Sequence, residues 1–148
     1  MKDRVAVIGV GCTKFGERYD RGYEELICDA AFAAYDDAGI DPAEIEAAYL
    51  GTYIPGPGGG KSAVSLGDAL RLYGRPITRV ENYCATGTDA FRNACITVAA
   101  GVHDVVLVVG AEKLKDRGGR GLPRFGHPLR NSLRICRGPE TLVSVARL

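Results

Sequence analysis

Short apolar runs rich in β-branched residues alternate along this chain with segments whose apolar residues recur every three or four positions. That alternation leaves few folds open. Arg4–Gly9, Ala47–Thr52, Ile77–Glu81 and Val105–Gly110 read as strands. Tyr23, Leu26, Ile27, Ala30, Ala31 and Ala34 fall at helical spacing before Gly39, which stops the helix. Ala63 to Tyr73 before Gly74, and Cys84 to Ala100 before Gly101, repeat the pattern. Asp41-Pro42-Ala43-Glu44 supplies a capping side chain, a first-turn proline and a reciprocating acid, so a helical turn starts there. Strands joined by helices through short connections predict an α/β fold, a mostly parallel mixed sheet with helices on both faces. Val105–Gly110, apolar throughout, is expected to be covered on both sides.

The chain has 148 residues, enough for one core. The organisation expected is an α/β domain over 1–112, a Gly/Arg-rich loop region over 113–128 and an aperiodic, arginine-rich tail over 129–148. The tail reads as unrelated sequence, as an aberrant gene end would look. Nineteen basic residues against 18 acidic ones exclude a nucleic-acid or membrane partner held by bulk charge. The apolar runs are too short to span a bilayer, and Val5–Val10 reads as a first strand in preference to a signal peptide. Five cysteines without a CxxC pair point to reduced thiols, a cytoplasmic setting and no metal site.

Three motifs bear on chemistry. Gly9-Val10-Gly11 follows the first strand, but a dinucleotide site needs a third glycine where Lys14 stands, and a helix opening at once. The blander reading is that these glycines let the chain turn off the sheet. Gly56-Pro57-Gly58-Gly59-Gly60-Lys61-Ser62 has the setting of a phosphate-binding loop, and a P-loop-like NTPase acting through Lys61 is a remote alternative. Its first glycine would fall on Pro55, and prolines remove the N–H groups that cradle phosphate. The third motif is Glu81-Asn82-Tyr83-Cys84-Ala85-Thr86-Gly87, where a strand hands over to a helix at a thiol. Helix N-termini favour a thiolate and offer N–H groups to an oxyanion. The competing reading is an inert cysteine packed as a small hydrophobe, the role expected of Cys28 and Cys95.

Val80-Glu81-Asn82-Tyr83-Cys84-Ala85-Thr86-Gly87, the alanine-rich segment after it, and Asp104–Lys113 resemble the N-terminal half of a thiolase. The sterol-carrier/lipid-transfer type of acetyl-CoA acetyltransferase is the subgroup most resembled. Val5–Gly11 with Thr13–Gly16, and Gly118-Gly119-Arg120-Gly121, extend the likeness over about residues 3–128. The resemblance implies a thiolase-like half-domain in which Cys84 is the nucleophile, carrying an acyl group between CoA thioesters. CoA and acyl-CoA are then substrates, with no cofactor held permanently. Arg117, Arg120 and Arg124 are candidates for CoA phosphates, against the blander reading of a solvated loop. Thr86 departs from the serine often found two residues after the nucleophile.

Such enzymes draw histidines and a second cysteine from a further half, and no such motif occurs here. His103 precedes a strand, and His127 lies in the charged loop, apart from the family's catalytic histidine motif. A homo-oligomer or a second thiolase-like chain is therefore an expected partner. The alternative is a non-catalytic truncated remnant or partner subunit. The half-fold is expected to be incomplete, lacking its last strand and leaving an open sheet edge. Ala146-Arg147-Leu148 resembles a peroxisomal address.

Overall fold

A computed structural model describes residues 4–54, 56, 59–117 and 142–147, with Arg117 and 142–147 described by backbone alone. The chain runs β1 (Ala6–Cys12), α1 (Tyr23–Ala38), β2 (Ala47–Gly51), α2 (Val64–Leu70), β3 (Ile77–Val80), α3 (Thr86–Ala99), β4 (Val105–Gly110) and β5 (Leu142–Arg147). Single 3₁₀ turns lie at Pro42–Glu44, Tyr83–Ala85 and Leu114–Arg117. The strands form one mixed sheet in the order β1-β5-β4-β2-β3. β2 is parallel to β3 and β4, while β5 is antiparallel to both β1 and β4. The α/β fold with helices on both faces is thus the one the alternation predicts.

Local chemistry accounts for the element ends. The Asp41 carboxylate accepts the Ala43 N–H at 2.7 Å while Glu44 accepts the Asp41 N–H at 3.0 Å, the capping box expected there. Gly39 closes α1 in the left-handed region at φ 65°. α2 is shorter than its periodicity suggests, because Arg71 turns into the left-handed region at φ 52° and ends the helix ahead of Gly74.

The chain moves from β2 out to β3 and then back across β2 to β4. Right-handed crossovers then require α2 and α3 to lie on opposite faces. α1 and α2 bury Ile27, Ala30, Ala34 and Leu66 against Leu50, Leu107 and Val109. On the other face Ala90, Ala94 and Val98 of α3 cover Ala47, Val106 and Val108. Val105 to Val109 are buried throughout, as their sequence implies.

Two expectations fail. The last strand is present: β5 pairs with β1 from Cys12↔Leu142 to Ala6↔Arg147, and with β4 from Gly110↔Leu142 to Val105↔Arg147. The tail is therefore not aperiodic throughout, and no open edge is left between β1 and β4. Val143, Ser144 and Val145 have the β-branched, alternating character of a strand, which the arginines around them obscured. Of the address-like ending, Ala146 and Arg147 are paired within β5, and Leu148 lies outside the described residues. Gly9 and Gly11, in turn, do not turn the chain off the sheet. They lie inside β1, where a Cβ would stand 2.4 Å from the Ala34 carbonyl oxygen and 2.1 Å from that of Ala30. Their bare backbone lets α1 seat against the strand.

Gly11→Ala is accordingly expected to cost about 2–3 kcal/mol of stability, since rigid helix backbone cannot yield to the new methyl. Gly87→Ala, in a helix with nothing within 4 Å of the new atom, is expected to stabilise by about 0.5–1 kcal/mol. Urea titrations followed by circular dichroism read both, and equal effects of one sign would contradict the packing described.

Candidate functional site

β2, β3 and β4 end at one edge of the sheet, where the connections after β2 and β3 leave toward opposite faces. Crevices form at such points in α/β sheets. Tyr53 follows β2 and Tyr83 follows β3, and their rings meet edge to face with centroids 4.5 Å apart. Cys84 comes next. It is exposed, so solvent reaches the residue, and the reading of Cys84 as a buried core thiol does not hold.

A tight turn puts it there. Tyr83 takes a left-handed conformation, φ 49°, at the head of the 3₁₀ turn Tyr83–Ala85. This is costly for a bulky residue and is held by its surroundings. The Thr86 hydroxyl accepts the Asn82 N–H at 2.8 Å and donates to the Tyr83 carbonyl at 2.6 Å. Glu81 accepts the Tyr83 N–H at 2.8 Å. Ala85 N–H donates to the Asn82 carbonyl at 2.9 Å. Gly51 admits Thr86 to the end of β2, since a Cβ there would lie 3.2 Å from the Thr86 carbonyl oxygen. The α-helix proper starts at Thr86, two residues later than the sequence suggests, so Cys84 sits in the turn that leads into α3.

Glu112, just after β4, fixes the opposite wall. Its carboxylate accepts the Tyr53 N–H, the Ile54 N–H at 3.3 Å and the Thr52 hydroxyl at 3.5 Å. Burial pushes its pKa above the ordinary glutamate value, against the lowering effect of these donors and of Arg79. Arg79 donates to the Thr52 carbonyl at 2.8 Å, while its buried Nε has no partner among the described residues. Tyr23 donates to the Ala111 carbonyl at 3.4 Å, and burial raises its phenol to about 12. Thr86, Glu112 and Tyr53 were missed as site residues. The signal for Glu112 was an acid directly after an apolar strand, where its charge has to find donors.

The other candidates lie elsewhere. Cys28 and Cys95 are half-buried, and burial pushes both thiols up. Cys12 is exposed at the end of β1, with its thiol donating to the Thr13 carbonyl. Arg117 ends the last 3₁₀ turn; Arg120, Arg124, His127 and Cys136 lie outside the described residues. His103, the one histidine among the described residues, stands 3.5 Å from Glu46 before β4 begins, at the sheet edge opposite Cys84. In the glycine-rich loop the Gly60 and Val64 amides are occupied by the Ser65 and Ser62 hydroxyls. Those are N–H groups a phosphate would need. Among the described residues no helix is long and apolar enough to cross a membrane.

Residues 5–121 match the family model for the thiolase N-terminal domain. The chain is 41% identical over 118 residues to an acetyl-CoA acetyltransferase of Methanothermobacter thermautotrophicus, covering 78% of this chain and 30% of that protein. With sterol carrier protein 2 of Gallus gallus it shares 37% identity over 116 residues, covering 77% of this chain and 21% of the relative. It thus spans less than a third of the curated relatives it matches. The acetyl-CoA acetyltransferase structure from Syntrophomonas wolfei superposes with a TM-score of 0.67 at 25% identity, covering 90% of this chain and 34% of that one. The 3-oxoacyl-[acyl-carrier-protein] synthase III of Aquifex aeolicus reaches a TM-score of 0.70 over 97% of this chain and 54% of its own; at 19% identity it shares the fold.

Two outcomes follow from the geometry. Thr86→Ala removes the acceptor of the Asn82 N–H, while the Tyr83 carbonyl keeps the Thr86 backbone N–H, and is expected to lower stability by about 1–2 kcal/mol, whereas Thr86→Ser retains most of it. Glu112, its folded pKa raised, binds more protons folded than unfolded just above the ordinary glutamate range. Its contribution is therefore present at low pH and lost as pH rises through the raised value. Unfolding curves of the parent and Glu112→Gln should diverge in that sense across the window, the parent losing ground as pH rises; parallel curves would contradict it.

Proposed function

The chain belongs to the thiolase family, and from that premise we propose that it carries the nucleophile half of an acyl-CoA acyltransferase, with Cys84 as the acyl acceptor. The observation that carries the reading is an exposed cysteine on a clamped strand-to-helix turn. The Cys84 thiolate attacks the carbonyl carbon of an acyl-CoA; the bond from that carbon to the CoA sulfur breaks, and CoA leaves as its thiol with the proton the cysteine gave up. The acyl group is left as a thioester on Cys84, ready to pass to a second acyl-CoA or back to CoA. The Cys84 N–H is one donor for the transient oxyanion. Arg117, Arg120 and Arg124 follow the β4 exit in sequence and are the proposed contacts for CoA phosphates, with acyl-CoA as partner and no permanently held cofactor.

A second reading is favoured by the position of His103, which is paired with Glu46 at the far edge of the sheet. At about 3.3 Å per residue, a six-residue strand puts it roughly 20 Å from the Cys84 edge. The described residues therefore offer the thiol no imidazole base. On this reading the chain accepts an acyl group slowly, and condensation needs groups from a second thiolase-like segment or chain.

Incubation with acetyl-CoA followed by intact-mass measurement tests both. The expected result is one acetyl adduct, labile to hydroxylamine, that disappears in Cys84→Ser. A folded chain that never gains the adduct contradicts the proposal and leaves a non-catalytic role. Condensed product from this chain alone would remove the second reading.

A further inference from the structure

We propose that Tyr53 and Tyr83 form a two-ring wall beside the Cys84 sulfur that admits short acyl groups and turns away long ones, with Glu112 as the positioning residue that holds this wall in place. The inference deepens the acyl-acceptor reading and rests on it for the identity of the group admitted.

The two rings come from different strands. Tyr53 leaves β2 and Tyr83 leaves β3, yet they meet edge to face at 4.5 Å, a geometry favoured by aromatic quadrupoles. Tyr83 shares its 3₁₀ turn with Cys84, so one ring of the pair is carried by the residue next to the thiol. Burial raises the Tyr53 phenol above its ordinary value, and the neighbouring Tyr83, Glu81, Cys84 and Glu112 add to that. Both tyrosines are only half-buried.

Each ring is fixed from behind. The Tyr83 backbone is held by Glu81 at its N–H and by Thr86 at its carbonyl. Among the described residues Tyr53 has no comparable local tie. Its N–H and that of Ile54 both end on the Glu112 carboxylate, which arrives from β4 nearly sixty residues away. Thr52, fully buried, adds its hydroxyl. Two adjacent amides and a hydroxyl converging on one acid leave the segment little freedom, so the Tyr53 ring keeps its place against Tyr83. The Ile54 N–H is shared between the two oxygens at 3.4 and 3.3 Å, so an amide in place of the carboxylate keeps one acceptor and loosens the segment only in part.

The test reads the alkylation of Cys84 by iodoacetamide and by N-hexyl iodoacetamide, with peptide mapping to assign the site. The ratio of the two rate constants cancels general changes in exposure or stability, which a merely structural role would cause. In the parent chain the hexyl reagent is expected to lag. Tyr53→Ala should raise its relative rate about tenfold, Glu112→Gln should move it the same way by less, and Tyr53→Phe should restore the parent ratio. Where Tyr53→Ala folds poorly, Tyr53→Leu poses the same question. An unchanged or reversed ratio in these variants overturns the proposal. A ratio that moves as expected in a chain that takes no acetyl group from acetyl-CoA upholds the wall and removes the acyl-acceptor reading, so the two failures are distinguishable.

Discussion

One hydroxyl makes the turn at Cys84 feasible. Tyr83 carries a left-handed backbone that a bulky side chain resists, and its surroundings have to hold it there. Thr86 does, by taking the Asn82 N–H on one side of the turn and giving its own proton to the Tyr83 carbonyl on the other. With both polar groups matched, the chain leaves β3, reverses within three residues and enters α3 with Cys84 on the outside. The strain belongs to the kind stored at functional sites, where the surrounding structure over-determines an unfavourable conformation. Gly51 completes the device, since any side chain there would push Thr86 away from the end of β2.

The second constraint acts from a distance. Two residues after β4 comes Glu112, whose carboxylate is partly desolvated, and the donors that stabilise it are the backbone groups of the segment after β2. Carboxylate and loop thus depend on one another, with Arg79 bound to the carbonyl side of the same segment. Strand ends far apart in sequence become one edge. The same edge receives Cys12 and Leu142, because β5 runs antiparallel between β1 and β4 and starts where they finish.

Much of this was legible in the residues. Local rules placed α1 and its glycine stop, the Asp41–Glu44 capping box and the doubly covered β4, because each depends on neighbours within a few positions. The handover from β3 to a helix near Cys84 was readable for the same reason. What escaped depends on partners brought together only by folding. β5 gains its place from strands more than thirty residues away, and its run of valines sat among arginines that suggested no strand. The Cβ-free faces of Gly9 and Gly11 matter only once α1 lies on them. Glu112 gains its role only once the amides of Tyr53 and Ile54 converge on it. Thr86, noted as a departure from serine, retains the hydroxyl that clamps the turn, and the substitution is conservative in that sense.

Cys84 is exposed on a clamped turn, while Cys28 and Cys95 are half-buried within α1 and α3. Native-state labelling with iodoacetamide, followed over time by peptide mass spectrometry, measures this directly. Modification of Cys84 well ahead of Cys28 and Cys95 is the predicted order. Labelling of Cys84 only as those two become accessible, in step with unfolding, would contradict the account.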